Sequence, residues 1–350
     1  MSTFTSRRIE GPDDIGLLFG DMYGRGYTDG LPVIPPTEAR VQAMLDYAGM
    51  EPAEVITVVP PSGDAATVEK VAICAVMAGC LPEYMPVIVA ALQALAEPRF
   101  NWLGIQTTTN PVGPVLVING PVRKTLEINC GRGCMGPGFR ANATIGRALR
   151  LIMVNVGACP PGEVDKAIHG MPGKFTFCFG ELEEESPWEP FHVERGFRRE
   201  ESTATVIGGQ GTSNIYAAYL QAESLCHIVA DGMACYGYNG YLRGTGNPVL
   251  IFSPGHARIF ADHGWDKQRI KRRLFELTQI PLSYLPEEKQ ISSAIYTDWD
   301  RSRSIAPCET ADDIVILVAG GPEAYHVTYV PSFSSTTMVT KPIRPASGKP

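Results

Sequence analysis

GPVLVINGPVRKTLEIN, residues Gly113 to Asn129, and NPVLIFSPGHARIFADH, residues Asn247 to His263, align without a gap. Each reads as an apolar strand, a Gly/Pro turn and a short helix. The unbroken run Val115 to Ile118 suits a strand covered on both faces. DDIVILVAGGPEAYHV, Asp312 to Val327, has the same strand-then-turn shape. TATVIGGQG and ITVVPPSG add strands that end in glycine or proline turns.

Helical stretches alternate with these strands. They are ATVEKVAICAVMAG, PEYMPVIVAALQALA with Pro82 at its start, NATIGRALRLIMVNVG, SNIYAAYLQAESLCHIVADGMA and WDKQRIKRRLFELTQ. The alternation predicts an α/β protein. Two similar α/β halves with mixed or parallel sheets are expected, and an internal duplication would account for the repeat. Residues 1–37 read as an N-terminal arm with a short helix near Asp14 to Tyr23 and a proline-rich extended segment. Residues 38–187 form the first half and 188–343 the second, meeting near Trp188 to Arg199. Residues 344–350 read as a frayed tail.

The 350 residues are 44% hydrophobic and 19% charged, which suits a large core. The net charge of −7 argues against nucleic-acid binding, which needs a basic surface. No apolar run reaches the roughly 18 residues of a membrane span. The start shows no secretory signal. Nine cysteines, odd in number and irregular in spacing, predict free thiols in a reducing cytoplasm.

Ligands of α/β sheets gather at the carboxyl ends of the strands. Those ends here deliver His256, then Glu323, Tyr325 and His326, and the loop CGRGCMGPGFRANATIG that starts at Cys130. Gly131, Gly133, Gly136 and Gly138 free that backbone to approach a ligand. Arg140 and a helix start near Asn142 would favour an anion, and the same field favours a thiolate. Cys134, nearer the helix, is the candidate nucleophile, and Cys130 the resolving thiol. The pair reads equally as structural cysteines, with a metal-ligand role a third reading. The loop lacks the G-K-[ST] of a phosphate loop and the G-x-G-x-x-G of a dinucleotide fold, so no cofactor is named.

The other groups read as structural. Cys74 and Cys226 lie on apolar helix faces, and Cys178 is a strand-core residue. His227 is expected to be buried and hydrogen-bonded. His169 and His192 fall in loops that would form a lid or an oligomer contact. Glu181, Glu183, Glu184 and Glu185 form a charge run of the kind that is usually a solvated surface. The hydroxyl-rich VPSFSSTT, Val330 to Thr337, has no G-x-S-x-G elbow. A zinc site would need distant residues such as His256, His326 and Cys134, because no H-x-x-H or C-x-x-C pair occurs.

Five segments carry a family resemblance. TDGLPVIPPTEARVQAML, TVEKVAICAVMAGCLPEYMPVIVAAL, GPGFRANATIGRALRL, PGKFTFCFGELEEESPWEPFHVERGF and SPGHARIFADHGWDKQRIKRRLFE resemble the large domain of the UGSC-type proteins of bacteria. The resemblance spans roughly Tyr27 to Ile343. In that family the domain can follow a small domain with a cysteine- or selenocysteine-containing UGSC motif. It implies a cytoplasmic bacterial protein and thiol or selenol chemistry. No UGSC motif and no small N-terminal domain is found in this sequence, so the thiol would come from Cys130, Cys134 or a thiol/selenol partner protein.

The expected function is an enzyme acting on a small polar or anionic organic molecule. Cys134 with Cys130 would be the redox or covalent thiol, and His256 or His326 the acid–base partner. The glycine loop with Arg140 and Asn142 would hold the substrate. A metal-dependent hydrolase or lyase and a non-catalytic ligand-binding or accessory subunit are the alternatives. A homo-oligomer is expected from the apolar richness and the aromatic loop around Trp188.

Overall fold

The computed structural model describes residues 4–284 and 302–344; the expected tail from 345 onward lies outside the described residues. Strands β1 (Val55–Val59) and β2 (Asp64–Thr67) form an antiparallel hairpin. The others are β3 (Gly113–Asn119), β4 (Cys178–Gly180), β5 (Thr203–Gly209), β6 (Ser213–Tyr216), β7 (Val249–Phe252), β8 (Ile280–Pro281), β9 (Ser304–Ile305), β10 (Val315–Val318), β11 (His326–Val330) and β12 (Val339–Pro342). β8 and β9 make a short antiparallel pair.

Two four-stranded sheets carry the fold, in the orders β12-β5-β3-β4 and β10-β7-β11-β6. In the first, β3 runs parallel to β4 and antiparallel to β5, which is antiparallel to β12. In the second, β7 runs parallel to β10 and antiparallel to β11, which is antiparallel to β6. The two sheets therefore share one pattern of order and sense. It extends the likeness of Gly113–Asn129 to Asn247–His263, because β3 and β7 hold equivalent places.

The edge strands are exchanged. β6 follows β5 along the chain but pairs with β11 of the second sheet. β12 follows β11 but pairs with β5 of the first. The sheets therefore do not divide near Trp188–Arg199, since β5 and β12 both belong to the first sheet. The stretch from Ser213, expected to be helical, is a strand as far as Tyr216, and the helix runs Ala222–Met233. Pairing with β11 outweighs local helix propensity there.

Alternate residues divide each strand between two layers. Val115, Val117 and Ile207 of the first sheet pack against Val249, Ile251, Val315, Leu317 and Val330 of the second. Leu116, Ile118 and Val206 face the opposite way, onto the helices Val68–Ala78, Met85–Leu95 and Arg140–Asn155. Leu250, Phe252 and Ile316 face the helices Ala222–Met233, Pro254–Asp262 and Lys267–Leu277. The layers are helix, sheet, sheet, helix. This explains why the strands read as continuous apolar runs, for both faces are covered. Each fully buried Leu or Ile contributes roughly 1.5–3 kcal/mol to the packing.

The carboxyl ends of β3, β4, β7 and β10 lie along one edge. The start of β11 reaches the same edge because β11 runs against β7.

Candidate functional site at the carboxyl ends of the parallel strands

β3 ends at Asn119, and Gly120 turns the chain with φ +84°. A Cβ on Gly120 would stand 2.2 Å from the Glu201 carbonyl oxygen, so only glycine fits. The turn sends the buried Arg123 side chain back under the strand, where its Nε donates to the Gly120 carbonyl at 2.9 Å. Arg123 then spans two groups. Its guanidinium pairs with Glu183 at 2.8 Å and Glu184 at 3.1 Å, and donates to the Glu181 carbonyl. Its Nη1 also lies 3.7 Å from Cys130 Sγ.

The thiol loop is tied by two asparagines. Asn142 Oδ1 accepts from Asn129 N at 2.8 Å, and its Nδ2 donates to the Asn129 and Cys134 carbonyls. Asn129 Oδ1 accepts from Gly131 N, and Cys134 N donates to Gly131 O, each at 3.0 Å. The second sheet closes the loop from the other side. Gly131 and Gly320 form a parallel bridge, Gly320 N donates to Cys130 O at 2.9 Å, and Arg132 pairs with Glu323 on the surface.

Both sulfurs are consequently covered. Burial, and then the neighbouring Cys130 sulfur, push the Cys134 thiol up to about 11. The backbone N–H groups of Cys134, Met135 and Gly320 oppose that rise by offering hydrogen bonds to a thiolate. Burial also raises the Cys130 thiol, against the pull of the Arg123 charge. At neutral pH both are protonated thiols, and the field expected from the helix start does not make a resting thiolate. The helix Arg140–Asn155 is capped by Phe139 with no side-chain bond, and Arg140 Nε turns away to the Gly79 carbonyl at 3.1 Å. Gly133, Gly136 and Gly138 form an exposed turn, with Gly131 half-buried at its start. Asn142 is buried and spent on the loop.

The histidines stand apart from the thiols. His256 is buried, and both ring nitrogens are engaged, Nδ1 with Ser253 Oγ at 2.9 Å and Nε2 with the Ala217 carbonyl at 3.0 Å. A carbonyl only accepts, so Nε2 carries the proton and Nδ1 takes the Ser253 hydroxyl. Burial lowers its pKa. His326 is exposed, edge-on to Tyr216 with ring centroids 5.6 Å apart. Neither ring hydrogen-bonds a cysteine. His227, expected to be buried, is exposed and bonds Glu223 at 3.1 Å, because its helix presents that face to Arg273.

The glutamate run is the main departure from expectation. Glu181 is fully buried and Glu183 nearly so, while Glu184 and Glu185 face outward. Glu181 directly follows β4, so the sheet draws it inside. Its Oε2 accepts from Asn119 Nδ2 at 2.6 Å and Phe191 N at 2.7 Å. Its Oε1 has no hydrogen bond and faces Lys267 Nζ at 3.8 Å. Burial raises the Glu181 carboxyl above its usual range. Lys267 also pairs with Glu194, which lies 3.8 Å from Lys271. His192, expected in a lid or oligomer contact, is fully buried 3.7 Å from Glu183, because Pro190 starts a short helix that tucks it under the strand ends. The signal for this network was Lys267 and Lys271 sharing the spacing of the buried Ile270 and Leu274 on one helix face.

Among the described residues no three His, Cys, Asp or Glu side chains are grouped to hold a metal ion, and all nine cysteines are free. No helix among them is long and apolar enough to cross a membrane. Comparison of the chain with protein-family models, with curated proteins and with solved structures finds no match.

Proposed function

We propose that this edge is the active site of an enzyme that acts on a small polar or anionic organic molecule through the Cys134 thiol, with Cys130 as its resolving partner. One observation carries the reading. The buried Cys134 thiol lies where loops of the two sheets meet, with Gly320 N donating to the Cys130 carbonyl and Arg132 pairing with Glu323 at the surface, and this cover raises its pKa. Substrate would displace the Arg132–Glu323 clasp, admit water and release the thiol. The titratable groups tied to Cys130 through Arg123 are Glu183 and Glu184 rather than His256, so acid–base help falls to the glutamates. Cys134→Ser should then abolish turnover of any substrate found by a metabolite screen; full turnover in that variant would end the thiol reading.

A non-catalytic ligand-binding role is the second reading, favoured by the raised pKa of both thiols. Among the described residues, no grouping of side chains supports the metal-dependent alternative. A cytoplasmic setting, a homo-oligomer, an internal duplication and kinship with the UGSC-type proteins belong to the same proposal. The free thiols support the first. Exposed Ile15, Leu17 and Tyr23 of the helix Ile15–Gly24 support the second. The shared strand pattern supports the third, and the five quoted segments support the fourth.

A further inference from the structure

At the opposite edge, by the amino ends of β7 and β10, lies a half-open cleft of about 360 Å³. Its walls come from Thr245 to Asn247 before β7, Glu309 and Asp313 before β10, and Ser335 to Thr337 between β11 and β12. Every wall residue is polar or glycine, whereas ligand pockets of this size, roughly 300–1,000 Å³, are mostly apolar. The serine- and threonine-rich stretch from Val330 to Thr337, which the thiol site does not use, supplies one wall.

The walls are set before any ligand arrives. Asn247 Oδ1 accepts from Met338 N at 2.8 Å and its Nδ2 donates to the Asp313 carbonyl at 3.1 Å. Thr245 Oγ1 accepts from Ser335 N at 3.0 Å, which leaves its hydroxyl proton to donate. Asp313 Oδ2 is taken by Thr310, and no bond is made to its Oδ1 among the described residues. Glu309 is exposed, and among the described residues it makes no hydrogen bond or ion pair. Gly246, with φ +104°, fixes the turn at this wall, for a Cβ there would stand 2.8 Å from the buried Ser332 Oγ. Ser332 is 2% exposed, and its hydroxyl has no hydrogen-bond partner among the described residues.

We infer that this cleft is a second binding site, for a small uncharged polyhydroxylated molecule of monosaccharide size. Carboxylate oxygens accept from ligand hydroxyls, and threonine hydroxyls both donate and accept. Among the described residues, no Lys or Arg lines the cleft to receive an anion. Fixed amide and hydroxyl groups lower the ordering cost of binding.

The test is ligand-observed NMR on the full chain with a panel of D-glucose, D-galactose, myo-inositol and glycerol, and with ethanolamine as the cationic control. At least one polyol should bind at millimolar concentration, and Glu309→Gln and Thr337→Val should each weaken it at least fivefold with unchanged melting temperature. Cys134→Ser should leave it unaffected, which separates this site from the thiol site. Silence from every polyol, preference for ethanolamine, or binding that survives both cleft variants would overturn the inference.

Discussion

The Gly320 amide donates to the Cys130 carbonyl at 2.9 Å, so a loop of the second sheet is the cover of a thiol loop in the first. Neither loop closes the site alone. The chemistry of the thiols therefore depends on how the two sheets are held together.

That dependence predicts one cooperative unfolding event. The sheets share an apolar layer and exchange their edge strands β6 and β12, so neither can unfold while the other stays intact. Val117→Ala of the first sheet and Ile251→Ala of the second should each cost about 2–4 kcal/mol, the usual range for a large-to-small core change. Both should shift a single urea transition followed by far-UV circular dichroism and tryptophan fluorescence. Two separated transitions would contradict the shared layer.

The buried charges make a second prediction. Lys267→Ala removes the cation facing Glu181 and Glu194, and breaking a buried pair in this way costs about 3–5 kcal/mol. Glu181→Gln in the same chain should recover part of that loss, because the uncompensated carboxylate is gone. A Lys267→Ala variant as stable as the parent in thermal melts would show that the pair is not coupled.

Alkaline pH supplies the third. Folding raises the Cys134 thiol from an ordinary value near 9.0 to about 11. A group raised by folding adds stability that is fully present below its unfolded pKa and is lost as pH rises through its folded pKa. Stability should fall between pH 9 and 11, with the buried Cys130 contributing in the same direction. Cys134→Ala should make that fall shallower in guanidinium melts, with the other buried thiols, such as Cys74, Cys80 and Cys226, keeping their share. An unchanged slope would assign the alkaline loss to other groups.

Much of the fold was legible because β3, β7 and β10 are buried on both faces and carry no polar residue in their central runs. The edge exchange was not. Ser213–Tyr216 is a short strand with only Ile215 buried, and its pairing partner lies more than a hundred residues away. At the site, the strand-end positions of Cys130, Cys134, His256 and His326 were legible. The protonation of Cys134 was not, because its burial comes from the layer between the sheets, where it clusters with Phe177, Ile251, Leu317 and Ala319, all distant in sequence. Glu181 looked like surface because three further glutamates surround it. Only the sheet separates the inward member from Glu185.

A fourth prediction concerns the clasp. Arg132 and Glu323 are exposed, so their pair adds little to stability. Arg132→Ala should leave the melting temperature within a degree or two while raising the rate at which Cys134 is alkylated, by a factor of about ten. A large loss of stability would make the pair a structural element instead of a cover.

The most direct test is site-resolved alkylation of the native chain with iodoacetamide across pH 7–11, read by peptide mass spectrometry in the parent and in Arg132→Ala. The account predicts that Cys134 reacts slowly at pH 7, accelerates toward pH 11, and is faster in the variant at every pH, while the buried Cys74 and Cys178 stay unmodified. Cys134 as inert as Cys178 in both chains would contradict it and leave the thiols as structure alone.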